Sequence, residues 1–270
     1  MNETGESSWE LPGFTATALR EKTRDHCLII PVLNQGQILL DQLDRLQSQL
    51  DLVDILLCDG ASDDGSTELE GLRRRNVTCL LVTREPGLST ATRMGLSHGL
   101  RQGYRGILMM DGNGKDRVST VADVVRKLED GYDFVQTSRF KKGGRHENTP
   151  LERYLGVRLV ISPILSLSSR FYYSDPTNSF TGMSPRYLLD PRVQPFRRVF
   201  QHYSLHYHLN RMAPRLGYRV TEIPHVRVYP KEDRGSLTRT ANTKIRGLRP
   251  RLRIVGELLA AVLGRYDVRR

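Results

Sequence analysis

Two rhythms of apolar and polar positions alternate along the first half of the chain. Short apolar runs read as strands buried on both faces: CLIIPVL from Cys27, DILLC from Asp54, VTCLLVT from Val77, GILMMD from Gly106 and DFVQTS from Asp133. Between them the period lengthens. Leu39, Leu40, Leu43, Leu46 and Leu50 recur at helical spacing within residues 37–50, and further helices are expected over 68–75 (short), 89–102 (rich in small residues) and 119–129. Strands alternating with helices predict an α/β fold, a mostly parallel central sheet with helices on both faces.

The rhythm changes after Ser138. RFKKGGRHENTPLER reads as a basic, polar loop, residues 154–170 as a helix interrupted by Pro163, and SDPTNSFTGMSP as a loop. Residues 200–216 read as a helix, YRVTEIPHVRVY as a strand, 230–253 as a basic loop, and RIVGELLAAVLGRY as a C-terminal amphipathic helix. The pattern divides the chain into a tail over 1–24, a domain over 25–240 with halves meeting at 138, and a basic segment over 241–270.

Charge narrows the partners. A formal net charge of +11 and a pI near 9.8 favour polyanions: phosphorylated substrates, anionic lipid or nucleic acid. Nucleic acid is disfavoured because no aromatic platform is interleaved with the basic residues. Cys27, Cys58 and Cys79 lie in strand-like runs without metal-ligand spacing, as buried reduced thiols would. The polar start of the chain and the lack of a spanning apolar run lead to the expectation of a cytoplasmic protein, or one peripheral to the cytoplasmic face of a membrane.

The chemistry concentrates at strand ends. DILLCDGASDDGS and ILMMDGNGKD both pass from apolar run to carboxylates and glycines. Ligands of open α/β sheets bind beyond the carboxyl ends of the strands, so Asp59 and Asp111 are expected to share a site for a metal-bound, phosphate-bearing ligand. Asp63 and Asp64 read as turn and cap residues.

In order, IPVLNQ (Ile30–Gln35), CDGASDDGS (Cys58–Ser66), GLSTATRMGL (Gly87–Leu96), MDGNGKD (Met110–Asp116), TSRF (Thr137–Phe140), DPTNSF (Asp175–Phe180) and DRGSL (Asp233–Leu237) resemble the motifs of the family 2 glycosyltransferases. The resemblance is nearest to the dolichyl- or polyprenyl-phosphate sugar transferases. It implies the glycosyltransferase A fold, which is Rossmann-like, and an inverting hexosyl transfer from a nucleotide-sugar, UDP- or GDP-linked, to a polyprenyl phosphate. Leu33, Gln35, Gly60, Asn113, Lys115 and Thr181 depart from the family pattern. Asn113 and Lys115 leave open a catalytically reduced relative that binds sugar nucleotide or lipid, and a transferase acting on a saccharide hydroxyl is a second alternative.

The resemblance also implies roles. Pro31, Leu33, Gln35 and Asp59 would hold the nucleoside; Arg93, Arg234 and Ser236 the diphosphate; Asp111 and Asn113, two apart in an extended turn, would share a Mg²⁺ or Mn²⁺ ion. Asn113 keeps an oxygen but drops a charge, and Lys115 adds a cation that could partly replace the ion. Asp111 acts through the leaving diphosphate, and Asp175 is the candidate base should the acceptor be a hydroxyl. Within the basic cluster of Arg139, Lys141, Lys142, Arg145 and Arg153, the acceptor phosphate is assigned to Arg139 and Arg145. His202 and His206 share a helix face, but without HExxH spacing these and His208 read as ordinary helix residues. The C-terminal segment serves either an anionic membrane surface or packing, on the domain or between copies of the chain.

Overall fold

The computed structural model describes residues 8–230 and 248–268. Its core is an eight-stranded sheet in the order β1-β4-β3-β2-β5-β8-β6-β9. The strands are β1 (Thr15–Ala18), β2 (His26–Val32), β3 (Val53–Asp59), β4 (Val77–Val82), β5 (Gly106–Met109), β6 (Phe134–Ser138), β8 (Thr181–Met183) and β9 (Val220–Pro224). Six run the same way; β1 and β8 are antiparallel to their neighbours. A short parallel pair, β7 (Arg145–Glu147) with β10 (Val226–Val228), stands apart from the sheet.

The period of two in each strand makes both faces apolar. Leu28, Ile30, Ile55, Leu57 and Leu108 pack with α1 (Gln37–Leu46), α2 (Leu69–Arg74) and α4 (Thr120–Glu129). The intervening Cys27, Ile29, Leu56, Cys58, Leu81 and Ile107 pack with α3 (Leu88–Arg101) and α8 (Ser204–Arg215). The glycines of α3 set its distance from the sheet. A Cβ on Gly95 would stand 2.5 Å from Cys58 Sγ, and one on Gly99 would stand 2.9 Å from Ile107 Cδ1. All three thiols are free and buried; burial pushes Cys79 up to about 11 and raises Cys27 and Cys58 further.

The first strands are laid down as β2, β3, β4 to one side, after which β5 returns to the other side of β2. A crevice at such a reversal is where open α/β sheets bind ligands. The register pairs Ile29 with Met109, so Pro31, near the end of β2, and Asp111, just past β5, come side by side.

Beyond the sheet, α5 (Leu151–Gly156) continues through a π-helical stretch (Val157–Ile161) into α6 (Ser162–Ser169), and α7 (Pro185–Leu188) is a single turn. Pro163 has no N–H to donate, and the π-helical register directly before it absorbs the break. The C-terminal helix α9 (Leu248–Val262) packs on α6 and α8 through Leu258 and Ala261, against Leu165 and Tyr207. Its other positions expose Leu252, Val255 and Leu259, as the α5–α6 run exposes Leu151, Leu155, Leu159 and Leu167. No helix among the described residues is long and apolar enough to cross a membrane.

Three expectations are corrected. Residues 15–18, read as tail, form β1 because the polar edge of β4 accepts an antiparallel partner, with Thr15 opposite Val82. Thr181–Met183, read as loop, is a central strand: three residues between turn-forming neighbours carry no readable alternation, and β5 and β6 supply its pairing. The C-terminal helix begins at Leu248, within the stretch read as loop.

The close seating of α3 predicts that Gly95→Val overpacks the sheet and lowers unfolding free energy by about 1–3 kcal/mol. Gly71→Ala, where the nearest atom to a new Cβ is the far end of Arg75 at 3.9 Å, raises it by about 0.5–1 kcal/mol. Urea denaturation of the two variants reads both.

Candidate functional site

The ends of β2, β3 and β5 border a cavity of about 490 Å³. Pro31 and Val32 end β2, Leu33 and Gln35 follow it, Gly60 follows β3, and Asp111, Gly112, Asn113 and Lys115 follow β5. The start of α3 contributes Leu88, Ser89, Ala91 and Thr92. Across from them stand Arg153 of α5, Tyr203 and His206, and Arg253 and Ile254 of α9.

The turn after β5 is held from below. The buried Gln42 of α1 donates its amide to the Asp111 carbonyl at 2.9 Å and accepts from the Gly114 amide at 2.7 Å. Gly114 lies at φ +72, the left-handed region that suits glycine, and a Cβ there would press on Ile38. Asp111 therefore has a fixed backbone and a side chain 24% exposed toward the cavity.

Strand β10 runs beside this turn. Arg117 N donates to Val226 O and Val228 N to Lys115 O, which brings Arg227 against the carboxylates. Its Nη2 donates to Asp111 Oδ2 at 2.9 Å, and its Nη1 to both oxygens of Asp116 at 2.7 and 2.8 Å and to Asn178 Oδ1 at 3.0 Å. His225 Nε2 meets Asp116 Oδ1 at 2.8 Å. Burial would raise the Asp116 carboxyl, but the Arg227 charge and the His225 hydrogen bond hold it below the ordinary range. Buried Tyr229 completes the cluster, with Lys115 Nζ 4.9 Å and Arg153 5.7 Å from its ring centre. Burial, then the charges of Arg227 and Arg153, push the Lys115 ammonium down to about 8.

The structure sorts the sequence-derived residues. Pro31, Leu33, Gln35, Asp111 and Asn113 line the cavity, as does Lys115. Asp59 does not: its carboxylate turns into its own loop, accepting from Ser62 N and Oγ and Thr67 Oγ1, while Gly60 forms the wall. Asp64 accepts from Gly36 N and from Ser66, as a turn and cap residue should. Arg93 is corrected by helical phase. One residue beyond the wall position Thr92, and about 100° round the helix, it is buried and donates to the carbonyls of Glu10 and Phe196.

Arg139 and Asp175, read separately as phosphate ligand and base, satisfy each other. Arg139 Nε and Nη2 grip the Asp175 carboxylate at 2.6 and 2.8 Å, both side chains are buried, and neither lines the cavity. Arg145 also lies off the wall, paired with Glu147 at the surface. Arg234 and Ser236 lie outside the described residues. His202 and His206 reach the cavity, but His208 binds the Val193 carbonyl on the far side of α8. Sequence reasoning missed Arg84, Arg227 and Arg253 as wall residues. The signal for Arg227 was its spacing, since His225, Arg227 and Tyr229 alternate in one strand.

Comparison with known proteins bears on this geometry. The sequence model of glycosyl transferase family 2 matches residues 27–189. The chain belongs to glycosyl transferase family 2. It is 29% identical over 153 residues to polyprenol monophosphomannose synthase of Mycolicibacterium smegmatis, covering 55% of this chain and 56% of that protein. It is 30% identical over 128 residues to undecaprenyl-phosphate mannosyltransferase of Micrococcus luteus, covering 46% and 52%. The chain thus spans about half the length of these curated relatives. Among solved structures, it is similar to glucosyl-3-phosphoglycerate synthase from Mycobacterium tuberculosis in complex with Mn²⁺, UDP and glucosyl-3-phosphoglycerate, with a TM-score of 0.64 at 15% identity over 89% of this chain and 79% of that one. That likeness agrees with the predicted glycosyltransferase A fold.

Within the family 2 frame, the expected divalent ion meets an obstacle. Asp111 Oδ2 already accepts from Arg227 and, at 3.1 Å, from Asn113 Nδ2, while Asn113 Oδ1 accepts from Lys115 N. Rotating the Asn113 amide to offer oxygen would abandon both of its bonds. Among the described residues no three His, Cys, Asp or Glu groups converge on an ion. The residues placed here do not fit the Asp111–Asn113 metal pair.

The Arg139–Asp175 pair sets an acid limit. Burial would raise the Asp175 carboxyl, but the Arg139 charge and hydrogen bonds hold it below the ordinary carboxylate range. A depressed carboxylate contributes stability above its unfolded pKa of about 3.9, and that contribution is lost as pH falls through the lower folded value. Asp175→Asn leaves a buried guanidinium without its counter-charge and costs about 3–5 kcal/mol at neutral pH. Melting curves from pH 7 to about 3 will show this as a lower plateau with a shallower acid decline than the parent.

Proposed function

We propose that the chain is an inverting hexosyltransferase that moves a sugar from a nucleoside-diphosphate sugar to a polyprenyl phosphate. The observation that carries this reading is the make-up of the cavity at the sheet reversal. Its walls supply Arg84, Lys115, Arg153, Arg227 and Arg253 against the carboxylates of Glu85 and Asp111, as two phosphorylated ligands would require. Pro31, Leu33, Gln35 and Gly60 would border the nucleoside, and Lys115 and Arg227 the diphosphate. Residues 25–138 would form most of the donor half of the domain, to which β10 adds Arg227, and the rest of 139–240 most of the acceptor half.

In the transfer, an anionic oxygen of the acceptor phosphate attacks the anomeric carbon from the face opposite the leaving group. The bond from that carbon to the diphosphate oxygen breaks, and its electron pair leaves with the nucleoside diphosphate. Cationic side chains aimed at that oxygen stabilise the charge developing there. A phosphate acceptor needs no proton removed, which suits a site whose candidate base, Asp175, is committed to Arg139. The same commitment disfavours a saccharide hydroxyl as acceptor. The names of the curated relatives, a polyprenol monophosphomannose synthase and an undecaprenyl-phosphate mannosyltransferase, support the lipid phosphate.

Two helices that wall the cavity favour an acceptor carried in a membrane. Arg153 belongs to α5 and Arg253 to α9, and their helical runs expose Leu151, Leu155 and Leu159, and Leu252, Val255 and Leu259. Apolar positions interleaved with arginine suit the interface of an anionic bilayer, with the phosphate drawn into the cavity and the tail left among lipids.

Incubation with UDP- and GDP-hexoses and a short polyprenyl phosphate in detergent is expected to add one hexosyl unit to the lipid, read by mass spectrometry. Transfer to saccharide hydroxyls with none to the lipid would sink the acceptor assignment. Leu159→Asp and Leu252→Asp are each expected to reduce co-sedimentation with phosphatidylglycerol vesicles about tenfold. Their nucleotide-induced rise in melting temperature should stay at the parent value.

A further inference from the structure

The carboxylate at the end of β5 already has a cation. Arg227 Nη2 lies 2.9 Å from Asp111 Oδ2, on a side chain only 6% exposed that forms part of the cavity wall. The other arm of the guanidinium is fixed by Asp116 and Asn178, and backbone pairing of β10 along residues 115–117 fixes the strand that carries it. This cation is delivered by the fold and does not leave with solvent exchange. A guanidinium has five N–H donors and stays charged throughout the accessible pH range. Nη2 spends one hydrogen on Asp111 and carries a second.

The neighbouring substitutions point the same way. Asn113 removes the negative charge that a second carboxylate would bring, and Lys115 adds a positive one within the same turn. Asp111 and Asp116 then bring two negative charges against the three cations Arg227, Lys115 and Arg153. That balance suits a ligand bringing its own negative charges, and it is poor for attracting a dication.

We propose that this site binds the diphosphate of its nucleotide ligand without a divalent ion, with Arg227, aided by Lys115, supplying the charge that a metal would otherwise bring. The inference rests on the reading of the cavity as a nucleoside-diphosphate site. In it, Asp111 is a positioning residue: it orients Arg227 toward the phosphates and ligates nothing itself.

The test uses the full chain and two probes, UDP and GDP, in calorimetric titrations run once in excess EDTA and once in Mn²⁺. At least one nucleotide is expected to bind in EDTA with an affinity within about threefold of that in Mn²⁺, a difference under 1 kcal/mol. Arg227 is buried between carboxylates, and its replacement could unfold the chain. Asn113→Asp is therefore the informative variant. It adds a carboxylate at the cavity wall, and is expected to weaken binding in EDTA about tenfold and to recover it in Mn²⁺, turning an indifferent site into a metal-responsive one. Parent binding seen only with Mn²⁺ would overturn the inference and leave the nucleotide site standing. Binding of neither probe in either buffer would overturn both. An Asn113→Asp variant equally tight in EDTA would also overturn the inference, because it would mean that charge at this turn does not govern the phosphates.

Discussion

One guanidinium ties this molecule together where sheet and site meet. Arg227 bridges Asp111, on the turn after β5, and Asp116, at the approach to α4, while Asn178 reaches it from the segment before β8. Two carboxylates so close, and so deeply placed, would repel each other without a cation between them. The backbone around them meets that need: β10 lies along the strand-end turn, and its bonds to residues 115 and 117 anchor the second half of the chain to the first. Gln42, from the opposite face, fixes the same turn by its backbone groups. Asp111 is thus constrained through both its carbonyl and its carboxylate.

The two halves of the site differ in how they are made. The walls from β2, β3 and β5 come from adjacent parallel strands, so register alone brings Pro31 beside Asp111. The facing walls come from helices whose positions depend on packing: α8 on the sheet through Leu205, Leu209 and Ala213, and α9 on α6 and α8 through Leu258 and Ala261. A cavity with one side built into a sheet and the other resting on helix contacts has one rigid wall and one that can adjust.

Much of this was legible in the chain. Strands buried on both faces announce themselves as unbroken apolar runs, and the helices between them by a longer period; the position of the acidic turns then located the crevice. What stayed hidden has a common cause: side chains that find a partner in the fold. Arg139 and Asp175 lie 36 positions apart and each looked like a ligand until geometry closed them on one another. Asp59 looked like a base contact, yet a serine and a threonine a few residues on claim its oxygens. Arg93 failed on helical phase alone. Arg227 was overlooked because residues 218–229 read as one strand, whereas the structure splits them into β9 in the main sheet and β10 beside the turn after β5.

The three sulfhydryls seated in the sheet beneath α3 have a practical corollary. Burial keeps each protonated at working pH and out of reach of reagents, and only a thiolate attacks an electrophile. A cysteine introduced at a solvent-facing position of α9 could therefore be tagged with a maleimide dye without first removing the native ones. Spectral changes of that dye would report whether this helix meets a bilayer.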